Sequence, residues 1–142
     1  MCSLIEEIDG DADGYKVVAI KKSDSKYYSA AMGFRYRQNR LIPKIKRQRC
    51  ISDHFYKGIL SDLTYCFEPE MTSRTAVFKN KEDAVILCNK LCHKKLYNCR
   101  QGDYSFAVVE ATVYIDVMNG YYAYCDVFAG RKIKFGKVVY LP

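Results

Sequence analysis

The chain has 142 residues, of which 49% are hydrophobic, 14% aromatic and 27% charged. A domain of this size and composition buries roughly two thirds of its unfolded surface, which excludes wholesale disorder and any need for a metal or disulfide staple. No apolar run approaches the ~20 residues of a membrane-spanning helix, and a net charge of +7, from 23 Lys plus Arg against 16 Asp plus Glu, points to an anionic partner.

In chain order, residues 1–14 read as an acidic, mobile lead-in containing Glu6, Glu7, Asp9, Asp11 and Asp13, and 15–142 as a single domain. Residues 15–20, rich in β-branched side chains, form a strand. Residues 21–25 are a hairpin loop and 26–32 the returning strand. Over 34–38 aromatic residues alternate with cations, as in a strand with one wet face. Residues 39–74, with Pro43, Gly58 and Pro69, keep no steady period. They read as loop with short helical pieces around 52–64, a length that suggests a functional excursion. Residues 75–78 are a short strand.

The clearest helix spans 80–97. Asn80 is placed to cap it, Glu82 and Asp83 suit its positive end, and Lys90, Lys94 and Lys95 its negative end. Ala84, Leu87, Cys88, Leu91 and Cys92 make one apolar stripe at helical spacing. A long strand over 106–117 follows, with Ala107, Val109, Ala111, Val113, Ile115 and Val117 on one face and Glu110, Thr112, Tyr114 and Asp116 on the other. Asn119-Gly120 signals a hairpin turn, 121–128 its returning strand, Gly130 another turn and 133–141 a last strand. The expected fold is α+β: a largely antiparallel sheet with the 80–97 helix packed on one face.

Charge is unevenly placed. Arg35, Arg37, Arg40, Lys44, Lys46, Arg47 and Arg49 form a cationic run without an acid, and Tyr36 lies within it. Single-strand binders combine cations along phosphates with rings that stack on bases, and Tyr27, Tyr28, Phe34, Tyr121, Tyr122 and Tyr124 add further rings. The bland alternatives are a solvated loop and tyrosines that simply pack as good strand formers. No recognisable nucleic-acid-binding signature accompanies the run, so the expected recognition is electrostatic and non-specific.

Seven cysteines, an odd number, and an N-terminal stretch without a basic region lead us to expect free thiols and a cytoplasmic location. Cys88-x3-Cys92-His93-x5-Cys99 is the densest set of soft ligands, and two thiols one helical turn apart could share a zinc. The absence of a Cys-x2-Cys knuckle and the position of both thiols in the apolar stripe favour core packing. Asp9-Gly-Asp-Ala-Asp-Gly14 matches the front of a calcium loop, but the position that needs a bidentate Glu is Ile20. Asp53-His54 near Cys50 is weak evidence for a nucleophilic site, and Glu110 and Asp116 lie about 20 Å apart along one strand, too far to share an ion. No cofactor is implied, and enzyme is the minority reading.

The order Gly14-Tyr-Lys-Val-Val18, Lys26-Tyr-Tyr-Ser-Ala30, a variable middle, Val77-Phe-Lys-Asn-Lys-Glu-Asp-Ala84 opening a helix, and Tyr122-Ala-Tyr-Cys-Asp-Val-Phe-Ala-Gly130 resembles small phage-encoded accessory proteins. The resemblance covers about half of the chain, and its motifs are structural. It implies a context: a protein of the host-cell cytoplasm that blocks host defence machinery, nucleic-acid-guided nucleases included, as anti-CRISPR proteins do. The leading expectation is therefore a non-enzymatic binding protein whose 35–49 segment engages nucleic acid, a nucleoprotein complex or an acidic protein surface. The competing expectations are a nucleotide-binding or sequestering protein and a zinc-stabilised interaction module.

Overall fold

A computed structural model of the chain describes residues 2–30, 35–42, 74–93, 104–122 and 125–142. In order these form β1 (Cys2–Glu7), β2 (Ala12–Lys21), β3 (Tyr27–Ser29), β4 (Thr75–Phe78), α1 (Lys81–His93), β5 (Tyr104–Tyr114), β6 (Met118–Tyr122), β7 (Cys125–Gly130) and β8 (Lys132–Tyr140). All pairings are antiparallel, and the eight strands make one sheet in the order β1-β6-β7-β4-β2-β5-β8, with β3 beside β2. The fold is α+β and mostly sheet. No helix among the described residues is long and apolar enough to cross a membrane.

The spine is the β2–β5 ladder, ten pairs from Ala12↔Val113 to Lys21↔Tyr104. Its residues alternate between two apolar environments. Val17, Ala19, Phe106 and Val108 meet Ala84, Cys88 and Leu91 of α1, while Val18, Ala107 and Val109 form a cluster on the opposite face, against Tyr27, Tyr36 and Phe135. Both faces are covered, so the middle of β2 is buried at three consecutive residues, Val17, Val18 and Ala19.

Along its other edge β2 holds β3 through Val18–Ile20 but β4 through the single pair Tyr15↔Phe78. The sheet thus consists of two four-stranded halves, β3-β2-β5-β8 and β4-β7-β6-β1, joined by that one ladder pair, beside which Lys16 Nζ donates to the Ala76 carbonyl at 2.6 Å. Between them Ala12, Ala111, Val113 and Ile133 from the first half meet Val77 and Phe128 from the second. Gly14 makes the joint possible: a Cβ there would lie 2.5 Å from the Phe78 carbonyl oxygen and 2.7 Å from Val77 Cγ2.

Several expectations are corrected. Residues 2–7 are no loose lead-in: β1 pairs with β6, where an open edge offers backbone partners, and Asn119 Nδ2 donates to Glu6 Oε1 at 3.3 Å. Residues 12–14 already belong to β2. The long strand stops at Tyr114, because Ile115 (φ 65°) and Asp116 (φ 51°) turn the chain out of the first half-sheet, leaving Ile115 43% exposed. Asn119-Gly120 is not a turn but the middle of β6, held between β1 and β7, and β6 pairs with β7 as far as Tyr122↔Cys125. The strand expected over 121–128 is consequently two. The described helix ends at His93, and residues 94–97 lie outside the described residues.

Candidate nucleic-acid interface

The β2–β3 hairpin begins the site. Ser25 (φ 58°) donates its N–H to the Lys21 carbonyl at 2.7 Å, and Asp24 Oδ1 accepts from the Lys26 N–H at 2.9 Å. An Asp side chain that folds back on the backbone in this way favours a turn over continued strand. Asp24 Oδ2 accepts from the Tyr28 hydroxyl at 2.6 Å. This bond, and then the Lys26 N–H, hold the Asp24 carboxyl below its ordinary range, while the same contact raises the Tyr28 phenol. The acid of the hairpin is thereby engaged locally.

Beyond β3, Arg35 bridges to Tyr28, and Tyr36 donates its N–H to the Tyr27 carbonyl at 3.0 Å. The chain then turns through Asn39 (φ 59°) to Ile42, whose N–H reaches the Arg131 carbonyl at 2.7 Å and whose side chain is buried. Residues 35–42 therefore run from β3 to the β7–β8 link across the face opposite α1. Arg35 and Arg37 are exposed and Tyr36 is half-buried, so the alternation read at 34–38 is real at these positions, although the backbone makes only an isolated bridge there.

From β8 comes the third ring. An extra residue in β8 between Val109↔Val138 and Ala111↔Phe135 makes a bulge opposite Glu110. The register after it places Phe135 on the face of Ala111, where it meets Tyr27 edge-on (5.1 Å, 89°) and Tyr36 (5.1 Å, 67°). The Tyr36 hydroxyl lies 3.4 Å from Thr75 Oγ1, which ties this ring at both ends.

Together these elements line an open groove of about 580 Å³. Tyr27, Tyr36 and Phe135 form its half-buried base, Lys26, Arg35, Arg37 and Lys134 its exposed rim, and no carboxylate among the described residues lines it. Of the residues singled out in sequence, the groove gathers Tyr27, Arg35, Tyr36 and Arg37. Arg40 is exposed at the following turn but does not line it, and Lys44, Lys46, Arg47 and Arg49 lie outside the described residues. Sequence reasoning missed Lys26, Lys134 and Phe135 as site residues. Lys134 and Phe135 stand about a hundred residues from Arg35 in an ordinary alternating strand, and only the β8 register brings them close.

Other candidate chemistry does not assemble among the described residues. Cys88 and Cys92 lie in the core between α1 and the sheet; burial pushes the Cys88 thiol up to about 12 and raises Cys92 as well. Cys99 lies outside the described residues, as do Cys50, Asp53 and His54. Asp13 is a β2 residue that accepts a 2.5 Å hydrogen bond from Thr112, so the 9–14 acids are spread along a bend and a strand rather than wrapped around an ion. Among the described residues no three His, Cys, Asp or Glu side chains are grouped to hold a metal. Tyr121 belongs to β6 in the other half-sheet, away from the groove. Compared with known proteins, the chain matches no family model, no curated protein and no solved structure.

Proposed function

We propose that this protein is a non-enzymatic binder of single-stranded nucleic acid, free or held in a nucleoprotein complex, through the groove between the β2–β3 hairpin, residues 35–37 and β8. The observation that carries the reading is the composition of that groove: four exposed cations around three half-buried rings, with no carboxylate among the described residues. Cations at this spacing follow a phosphate chain, and an aromatic base tolerates any nucleobase. Arg40 and the sequence run Lys44, Lys46, Arg47 and Arg49 extend the positive charge. In a reducing cytoplasm the thiols of Cys88 and Cys92 stay out of disulfides. In a phage setting the same surface would occlude the nucleic acid or the acidic protein channel of a host defence complex.

The test is a titration of labelled single- and double-stranded DNA and RNA over a salt series. Four rim cations neutralising four phosphates give a slope of log K against log salt of roughly −2.8, at about −0.7 per phosphate of a single strand. Replacing Arg35 and Arg37 by Gln halves that slope to roughly −1.4. Absence of binding at low salt, or an unchanged slope in the double variant, refutes the reading.

One observation favours a second reading, a mononucleotide ligand: a groove of about 580 Å³ falls within the range of small-molecule sites. A nucleotide that raises the melting temperature while oligonucleotides bind no more tightly would decide for it.

A further inference from the structure

A second cavity, of about 540 Å³, opens along β2, β5 and β8 beside the β4–α1 junction. In-register pairs lay out its charges. Lys134, Thr112 and Asp13 stand side by side across β8, β5 and β2, and Tyr15 and Glu110 form the next pair along. From the β4–α1 junction Lys79 lines the opposite wall. Its ammonium donates to Asn119 Oδ1 at 2.6 Å and sits 4.3 Å above the Phe128 ring, which fixes its position and leaves donors unused. Glu110 is half-buried, yet neither it nor Asp13, Lys79 or Lys134 takes part in an ion pair among the described residues.

Two cations and two carboxylates thus line one cavity without neutralising each other. An ion of a single sign meets as much repulsion as attraction there. A molecule bearing both charges a few ångströms apart can satisfy both. We propose that this cavity binds a small zwitterion of the α-amino-acid class, its ammonium on Glu110 and Asp13 and its carboxylate on Lys134 and Lys79. The proposal does not rest on the nucleic-acid reading: Glu110, Asp13 and Lys79 border this cavity and not the groove, whereas Lys134 and Phe135 border both.

The intact protein is titrated calorimetrically with the common α-amino acids, and with acetate and methylammonium as single-charge controls. At least one amino acid is expected to bind at or below about 1 mM, with both controls at least about 10-fold weaker. Glu110→Gln and Lys134→Gln are each expected to weaken that amino acid about 10-fold. Glu110→Gln is expected to leave oligonucleotide binding unchanged, because Glu110 does not line the basic groove. The proposal is overturned if no amino acid binds up to about 10 mM, if acetate or methylammonium binds as tightly, or if neither variant weakens binding. Should Glu110→Gln fail to fold, Asp13→Asn, at an exposed residue that does not border the basic groove, takes its place with the same expected weakening.

Discussion

Gly14→Ala tests the architecture at its narrowest point. Gly14 sits beside the only pair that joins β2 to β4. Its added methyl would lie 2.5 Å from the Phe78 carbonyl oxygen and 2.7 Å from Val77 Cγ2, whereas ordinary contact begins at 3.4 Å. The half-sheets must separate there by about 0.9 Å, the difference between 3.4 and 2.5 Å. The obstacle is backbone plus a β-branched side chain with no exposed surface, so no flexible side-chain end can move aside. Overpacking of this kind costs about 3 kcal/mol, at the upper end of its usual range. Alanine's better intrinsic strand behaviour returns about 0.5–1 kcal/mol. The net loss is about 2 kcal/mol, or roughly 7 °C in melting temperature for a chain of this length. Thermal unfolding followed by circular dichroism measures it, with Gly10→Ala as the comparison. Gly10 has φ 88° and open space around it, so its variant bears only the conformational penalty, about 1 kcal/mol. If Gly14→Ala melts within about 2 °C of the parent, or above Gly10→Ala, the single-point joint is wrong.

Leu91, fully buried between α1 and the sheet, is expected to cost about 2–5 kcal/mol on replacement by Ala, measured by urea unfolding. The Cys88 thiol, raised by burial from 9.0 to about 12, stays protonated in the folded protein and ionises first in the unfolded one. Its contribution to stability is therefore complete below pH 9, declines as pH rises toward about 12, and is absent in Cys88→Ala; unfolding curves across that window check the sign. Below pH 9 the thiol should also resist alkylation by iodoacetamide until the protein unfolds, as mass spectrometry would show. Tyr28→Phe removes the leading hydrogen bond that holds Asp24 low, so its carboxyl should titrate closer to the ordinary 3.8 by NMR, and an unmoved titration would mean the contact is not made in solution.

Local sequence determined a good part of this protein. The alternation of β5 over Val109, Ala111 and Val113 and the 3.6-residue stripe of Ala84, Cys88 and Leu91 each bury the face that their period predicts, because side-chain direction follows from backbone geometry alone, whereas the β-branched run of β2 is buried on both faces at Val17, Val18 and Ala19. The exposed pair Arg35 and Arg37 around an inward Tyr36 was legible for the same reason. Tertiary structure decided the rest. Asn119-Gly120 is strand rather than turn because partners on both sides hold it extended, a contribution that no local preference contains. Gly14 resembles a calcium-loop glycine in sequence and is the contact point of two half-sheets in space. The groove itself depends on the register of β8, which slips by one residue twice, between Val108 and Val109 and again between Val109 and Ala111; that register sets the face on which Phe135 lies and brings β8 beside Arg35, Tyr36 and Arg37 and the β2–β3 hairpin. Register between strands far apart in sequence is set by the packing of whole faces, and no single segment encodes it.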